Sequence, residues 1–275
     1  MANFHGAFDA LGRLAYAGAR VSAHVVDLRS GLALLSIDDR VVLPTAGIGK
    51  VLLLIEVSAR ITARDVTGYG ILDKTTDDLA GSSGLWRHLQ APALPIADLA
   101  AMVGAVGDSL ATNVLLRRVG LDAVRARTES LGLARTALLD LVRAKRGPDD
   151  APQLSVGSTA ELAWLFSALS RGQVVDHVTS QRVLGWLSLG ADLSLVASAF
   201  GLDPLSHRGT DHGIQLINTT GADAGVRAEA GLLSGPRTGV AYAVTVQFAD
   251  TGLPARLGVL DALRIVGYDL LEYVG

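Results

Sequence analysis

The chain contains no cysteine, two methionines and few aromatic residues, which make up 5% of its 275 residues. Without cysteine, disulfide bonds and thiolate metal sites are excluded. A strong excess of one charge is also missing, since the net charge is −3, and this argues against a nucleic-acid-binding protein. No apolar run approaches the roughly 20 residues that a membrane-spanning helix needs. Because 49% of the residues are hydrophobic, the sequence predicts a soluble globular protein with a large core.

Signals for targeting, metals and cofactors are absent as well. Residues 1–13 show no basic start followed by an apolar stretch, so no secretory signal is visible and we expect a cytoplasmic location. His207 and His212 lie five residues apart, but no third ligand follows at the spacing of a known metal motif. The sequence therefore predicts no metal and no cofactor, and it does not indicate an oligomeric state.

The periodicity of apolar residues changes twice along the chain. Helical spacing between Phe4 and Ala17 predicts a first helix, and the valine-rich segment 21–28 with segment 32–37 predicts a β-hairpin. From Lys50 to about Ser198 the spacing is helical, notably at 96–106, 111–119, 121–131 and 159–169. Alternation then predicts strands at 213–218, 226–233 and 240–248, before a closing helix at 257–273.

This order of elements is not a βαβ repeat. It predicts an α/β fold of the α+β type, in which one antiparallel sheet is flanked by terminal helices and an all-helical lobe is inserted after the second strand. We expect a single domain over residues 1–275, with an α/β lobe at 1–46 and 205–275 and a helical lobe at 47–204. A cleft between two such lobes is a common place for a ligand site.

Three short segments carry the chemistry: Gly47-Ile48-Gly49-Lys50, Gly107-Asp108-Ser109 and Thr219-Thr220-Gly221-Ala222. The first precedes the apolar run 51–55, and the second continues through Leu110-Ala111-Thr112-Asn113. In this order they resemble the S-x-x-K, S-D-N and K-T-G motifs of the class A β-lactamases and related penicillin-recognising serine hydrolases. The resemblance covers nearly the whole chain and implies a β-lactamase/transpeptidase-like fold.

The resemblance also implies which catalytic groups are missing. Family members attack a carbonyl with a serine hydroxyl and form an acyl-enzyme, while lysine and serine side chains move the protons. In a loop, Thr136 stands where class A enzymes carry a general-base glutamate. The remaining matched positions hold Gly47 for the nucleophile, Gly107 for the proton-shuttling serine, Ser109 for the asparagine and Thr219 for the second lysine, so that Lys50 alone survives among the proton-transfer groups.

The resemblance to this family also implies that parts of its binding site are retained. The backbone N–H groups of Gly47 and Ala222 would still form an oxyanion hole, with Thr220 and Gly221 completing the strand that faces substrate. Arg227 is either a carboxylate-binding residue or an ordinary solvated strand arginine. Asp108 and Asn113 are expected to anchor the helical lobe by hydrogen bonds to backbone.

Three functions remain open from the residues alone. The first is a pseudoenzyme that lacks serine acyl transfer and binds a small carboxylate-bearing ligand, either β-lactam or peptide-like. The second is an active β-lactamase-like or esterase-like hydrolase in which Ser109 is the nucleophile and Lys50 the base. The third is a non-catalytic regulatory or protein-interaction module. No nucleic acid or membrane partner is expected.

Overall fold

The computed structural model describes residues 4–79, 83–209 and 212–275. Its helices are α1 (His5–Tyr16), α2 (Lys50–Thr62), α3 (Ile96–Val106), α4 (Ser109–Val119), α5 (Leu121–Ser130), α6 (Thr159–Ser170), α7 (His177–Leu187) and α8 (Leu253–Val274). Its strands are β1 (Arg20–Asp27), β2 (Ala33–Ile37), β3 (Leu43–Pro44), β4 (Ile71–Asp73), β5 (Ala93–Pro95), β6 (Ala137–Leu138), β7 (Ser155–Gly157), β8 (Gln215–Asp223), β9 (Val226–Ser234) and β10 (Gly239–Gln247). No helix within these described ranges is both long enough and apolar enough to cross a membrane.

The main sheet has the strand order β2-β1-β10-β9-β8, and its neighbouring strands are antiparallel. Both faces of β9 and β10 are covered, so residues on both faces of these strands are buried instead of alternating with exposed ones. Strand β8 lies at the edge of the sheet, so one side of its backbone has no strand partner. That edge faces the 3₁₀ turn Ala46–Gly49, which leads into α2.

Two apolar cores lie on opposite faces of the sheet. On one face, small side chains such as Ala228, Ala241 and Ala243 let α6 approach closely, and the core continues into α2, α3, α4 and α7. On the other face, α1 and α8 pack together over β1 and β10. The sheet therefore joins the helical lobe to the terminal helices through a continuous buried layer.

The predicted fold is confirmed, including the hairpin, the inserted helices and the final strands. Helix α3 has the predicted bounds, while β8 runs on to Asp223 and thus contains the Thr219-Thr220-Gly221 segment instead of ending before it. Residues 193–200, which we assigned to the helical lobe, pack with α1 and α8 in the second core. The apolar residues of that segment contact α8, and the lobe boundary at residue 204 stays a prediction.

Candidate functional site

A cleft of about 570 Å³ lies where the two lobes meet. It is lined by the turn before α2, the junction of α3 and α4, the loop between β6 and β7, the segment after α7, and the edge strand β8. The structure therefore brings all three motif segments to one place. The residues that they contribute to its wall are Gly47, Lys50, Gly107, Ser109, Thr219, Thr220 and Ala222.

At the floor of the cleft, the backbone of β8 closely approaches the turn that carries Gly47. A Cβ atom built on Gly47 would lie 3.0 Å from the carbonyl oxygen of Thr220. From the other side, a Cβ on Gly221 would lie 2.1 Å from the carbonyl oxygen of Thr45, a distance that no side chain tolerates. Glycine at both positions thus allows the turn and the strand to touch through their backbones. The nucleophile position has no side chain and little room for one.

Lys50 starts α2 and is buried, with 7% of its surface exposed. Its Nζ donates a hydrogen bond of 2.6 Å to the carbonyl oxygen of Gly107. Burial lowers the pKa of Lys50 to about 8, and the negative charge of Asp108 opposes this shift. Lys50 is therefore held by a backbone carbonyl, which satisfies a charge that would be costly to bury alone.

Gly107 ends α3 in the left-handed conformation, with φ of 59°. A Cβ at this position would lie 3.7 Å from the Nζ of Lys50, but a non-glycine residue at this φ is strained. The hydroxyl of Ser83 donates to the same carbonyl at 3.2 Å, and its oxygen lies 2.6 Å from the Oγ of Ser109. Ser109 is thus paired with Ser83, whereas Lys50 is bonded to the Gly107 carbonyl.

Asp108 faces away from the cleft and caps helix α4. Its Oδ1 accepts a hydrogen bond from the N–H of Ala111, and its Oδ2 accepts from the N–H groups of Leu85 and Trp86 at 2.7 and 2.9 Å. These bonds join the start of α4 to the preceding loop, in agreement with the anchoring role expected from the sequence.

Asn113 anchors the loop that closes the cleft. Its side-chain amide exchanges hydrogen bonds of 2.9 Å with both the N–H and the C=O of Val142, and it also donates to the carbonyl of Asp78. Val142 itself lines the cleft. Asn113 therefore fixes the position of a cleft wall without contacting a ligand directly.

The same loop supplies arginines, not the carboxylate expected of a class A enzyme. Thr136 is buried and does not line the cleft, whereas Arg143 and Arg146 do. Both guanidinium groups pair with Asp140, at 2.8 and 2.6 Å respectively. The sequence did not single out these arginines, because the loop has no periodicity from which the direction of a side chain can be inferred.

On β8, the hydroxyl of Thr220 donates a hydrogen bond of 2.6 Å to the Oδ2 of Asp192. Asp192 lies after α7 and lines the cleft together with Asp223 at the end of β8. Neither aspartate was predicted. The segment around Asp192 resembles none of the three motifs, and its approach to β8 depends on how α7 is packed.

Arg227 is not among the residues that line the cleft. Its Nη1 donates to the backbone carbonyls of Asp223 and Val226, and burial and the nearby Arg256 lower its pKa. It is half-buried, and both of the roles expected from the sequence remain predictions. Its side chain braces the turn between β8 and β9.

A buried acid lies directly behind the cleft wall. Glu229 on β9 is fully buried, and burial raises its pKa to about 7. Its carboxyl group accepts hydrogen bonds from Asn218, Tyr242 and the N–H groups of Val196 and Ala197. Asn218 also lines the cleft and donates to the backbone carbonyl of Asp192 at 3.3 Å, so this network connects the core to the site.

The arrangement provides donors, acceptors and charges but no cluster suited to a metal. Within residues 4–79, 83–209 and 212–275, no group of three or more histidine, cysteine, aspartate or glutamate side chains is placed to hold a metal ion. For recognition of a ligand, the cleft offers backbone groups, two threonine hydroxyls and charged side chains.

Comparisons with known proteins agree with this geometry. No curated protein matches the chain by sequence. Among solved structures, a β-lactamase from Sphaerobacter thermophilus is similar with a TM-score of 0.85 and 22% identity, over 99% of this chain and 97% of that one. An acyl-enzyme complex of a PBP-A mutant with penicillin G is similar with a TM-score of 0.78 and 18% identity, over 97% of this chain and 96% of that one. A class A β-lactamase from Mycobacterium abscessus is similar with a TM-score of 0.77 and 16% identity, over 97% of this chain and 98% of that one.

These likenesses extend over the sheet, the helical lobe and the terminal helices alike, so they support the fold as a whole. The model of the β-lactamase enzyme family matches residues 6–273, which is nearly the entire sequence. The chain belongs to the β-lactamase enzyme family.

Proposed function

We propose that this protein binds a small carboxylate-bearing ligand, β-lactam or peptide-like, in the interlobe cleft without serine acyl transfer. The observation that carries the proposal is the contact between Gly47 and β8. The nucleophile position lacks a hydroxyl, and the carbonyl of Thr220 lies where a side chain would begin. Covalent catalysis from this position has neither the atom nor the space that it needs.

The surroundings of Lys50 support the same conclusion. A base that activates a nucleophile must lie within hydrogen-bond reach of the proton it abstracts. The Nζ of Lys50 instead donates to the Gly107 carbonyl, and Gly107 has no hydroxyl to relay a proton. The altered positions thus fit one another, as expected of a site that has been remodelled around binding.

The geometry favours this proposal over a hydrolase that uses Ser109. The Ser109 hydroxyl is buried and paired with Ser83 at 2.6 Å, while Lys50 is engaged elsewhere. An attacking serine needs an adjacent base, whereas the hydroxyl of Ser109 pairs with that of Ser83 and the Nζ of Lys50 with the Gly107 carbonyl. A purely protein-interacting module has no specific contact in its favour, and it becomes one outcome of the test.

The test measures covalent and non-covalent binding in one experiment. Penicillin G is a suitable probe because a related fold, PBP-A, has been captured as an acyl-enzyme with it. We expect the melting temperature of the protein to rise with penicillin G concentration while its intact mass stays unchanged. A chromogenic cephalosporin should be hydrolysed no faster than in buffer.

Two results would contradict the proposal in different ways. A stoichiometric mass increase that disappears in Ser109→Ala would support the alternative hydrolase. If penicillin G, ampicillin and a dipeptide all leave the melting temperature unchanged, the proposed ligand binding would be contradicted. A protein-interaction module would then be favoured.

A further inference from the structure

Charged side chains of opposite sign line the two ends of the cleft. At the β8 end stand the carboxylates of Asp192 and Asp223, both exposed, and at the loop end stand the guanidinium groups of Arg143 and Arg146. In such a cleft, a ligand with a charge at each end has a preferred direction of binding.

Asp192 is fixed in place and not merely a mobile surface acid. Its Oδ2 accepts from the hydroxyl of Thr220 at 2.6 Å, and its Oδ1 accepts from the N–H of Ser194 at 3.0 Å. Its backbone carbonyl accepts from Asn218 as well. A carboxylate held by these contacts presents its negative charge at a defined point of the cleft wall.

In the described part of the chain, no cation lies within ion-pair distance of the two carboxylates at this end, although the charge of Arg227 acts on both from farther away. No ion pair of Asp192 or Asp223 with a lysine, arginine or histidine occurs there. Arg227 is the nearby arginine, but its Nη1 is bonded to the backbone carbonyls of Asp223 and Val226, and it does not itself line the cleft. Thr219, at the position where the resemblance implies a lysine, adds no charge.

At the opposite end, Arg143 keeps part of its binding capacity. Its ion pairs with Asp140 and Asp150 both run through Nε, at 2.8 and 3.0 Å, so these pairs do not use its terminal Nη groups. A planar guanidinium with terminal donors suits a carboxylate. Arg146, held by Asp140 and by the carbonyl of Ala151, adds positive charge beside it.

We infer, building on the proposed binding function, that the cleft takes a zwitterionic peptide-like ligand, with its ammonium group at Asp192 and Asp223 and its carboxylate at Arg143. This orientation places each ligand charge beside an opposite charge of the protein. A carboxylate at the β8 end would instead face the fixed anion of Asp192.

Ampicillin and penicillin G form a matched pair of probes, since ampicillin differs from penicillin G by an added amino group. With the amine protonated, we expect ampicillin to bind about tenfold more tightly than penicillin G in calorimetric titration. Asp192→Asn keeps the shape of the side chain and should abolish this preference. The control Asp261→Asn removes the same charge from an exposed position on α8 and should leave the preference for ampicillin intact. Arg143→Gln should weaken both probes.

The outcomes separate the inference from the function on which it rests. Equal binding of the two probes, or a preference that survives in Asp192→Asn, would overturn the assigned polarity and leave the binding function standing. If neither probe binds the wild type or any variant, the proposed function fails and the inference falls with it.

Discussion

The Nζ of Lys50 lies 2.6 Å from the carbonyl oxygen of Gly107. This bond joins the first residue of α2 to the residue that ends α3, and it takes up the charge of a nearly buried lysine. In an acyl-transfer enzyme a lysine at this position would exchange protons with hydroxyl groups. Here it acts as a structural donor, and its energetics can be measured separately from any activity.

The stability of the protein should depend on the titration of Lys50. Its pKa is about 8 in the folded protein and near 10.5 in the unfolded chain, so the unfolded chain binds more protons between these values. The free energy of unfolding of the wild type should therefore rise relative to Lys50→Met by up to about 3 kcal/mol from pH 8 to pH 10.5. Below pH 8 this difference should be flat.

Chemical denaturation across this pH range tests the prediction, and Lys145→Met, which removes an exposed lysine, is the control. A difference between the wild type and Lys50→Met that does not change with pH would mean that burial does not perturb this amine.

Gly47→Ser should destabilise the protein although it restores the residue of the motif. The new Cβ would meet the carbonyl oxygen of Thr220 at 3.0 Å, so β8 or the turn must shift by a few tenths of an ångström. Overpacking of this kind costs about 1–3 kcal/mol. Gly12→Ser is the matched control, since a Cβ there meets nothing within 4 Å. Equal stability of the two variants in urea would show that the approach of β8 is readily relieved.

Asn113→Ala should loosen the cleft wall formed by the loop between β6 and β7. It removes the hydrogen bonds to both backbone groups of Val142 and leaves these groups buried without their partner. We expect a loss of about 2–3 kcal/mol and faster amide hydrogen exchange across residues 139–154. Thr128→Val, which deletes a buried hydroxyl bonded within its own helix, should leave exchange in that loop unchanged.

Glu229 should make the protein less stable as the pH rises toward neutrality. Its pKa is about 7 when folded and near 4.5 when unfolded, so the folded protein binds more protons between these values. The free energy of unfolding should fall by up to about 3 kcal/mol from pH 4.5 to pH 7, and Glu229→Gln should lack this contribution. Urea unfolding at both ends of the range measures it, with Glu129→Gln as a control at an exposed position. If the free energy of unfolding falls equally with pH in Glu229→Gln, the pH dependence comes from other groups and the prediction is wrong.

The sequence predicted the elements whose apolar residues repeat regularly. The spacing at 96–106 gave the bounds of α3, and the alternation at 226–233 gave β9 to within a residue, because one face or both faces of these elements are buried. The three motif segments also lie together at one cleft. The order of the segments along the chain and the type of element that carries each were enough to expect them near one another, since the fold brings the start of α2 next to β8.

The residues that could not be predicted depend on packing between distant segments. Asp192 reaches Thr220 across 28 positions of sequence, and no local pattern reports that contact. Arg143 enters the cleft from an irregular loop, where neither the helical nor the strand periodicity of apolar residues indicates the direction of a side chain. For Arg227 the sequence left two roles open, and it did not show that the carbonyl groups of the β8–β9 turn would hold its side chain.

The left-handed backbone at Gly107 has a consequence for how this lineage can change. Serine at a φ of 59° is disfavoured by about 1–2 kcal/mol, so restoring the proton shuttle costs stability before it can restore any chemistry. Serine at position 47 meets the same difficulty for a different reason. The backbone around the cleft thus opposes a serine side chain at both glycine positions, and a variant with serine at both should be less stable than either single variant.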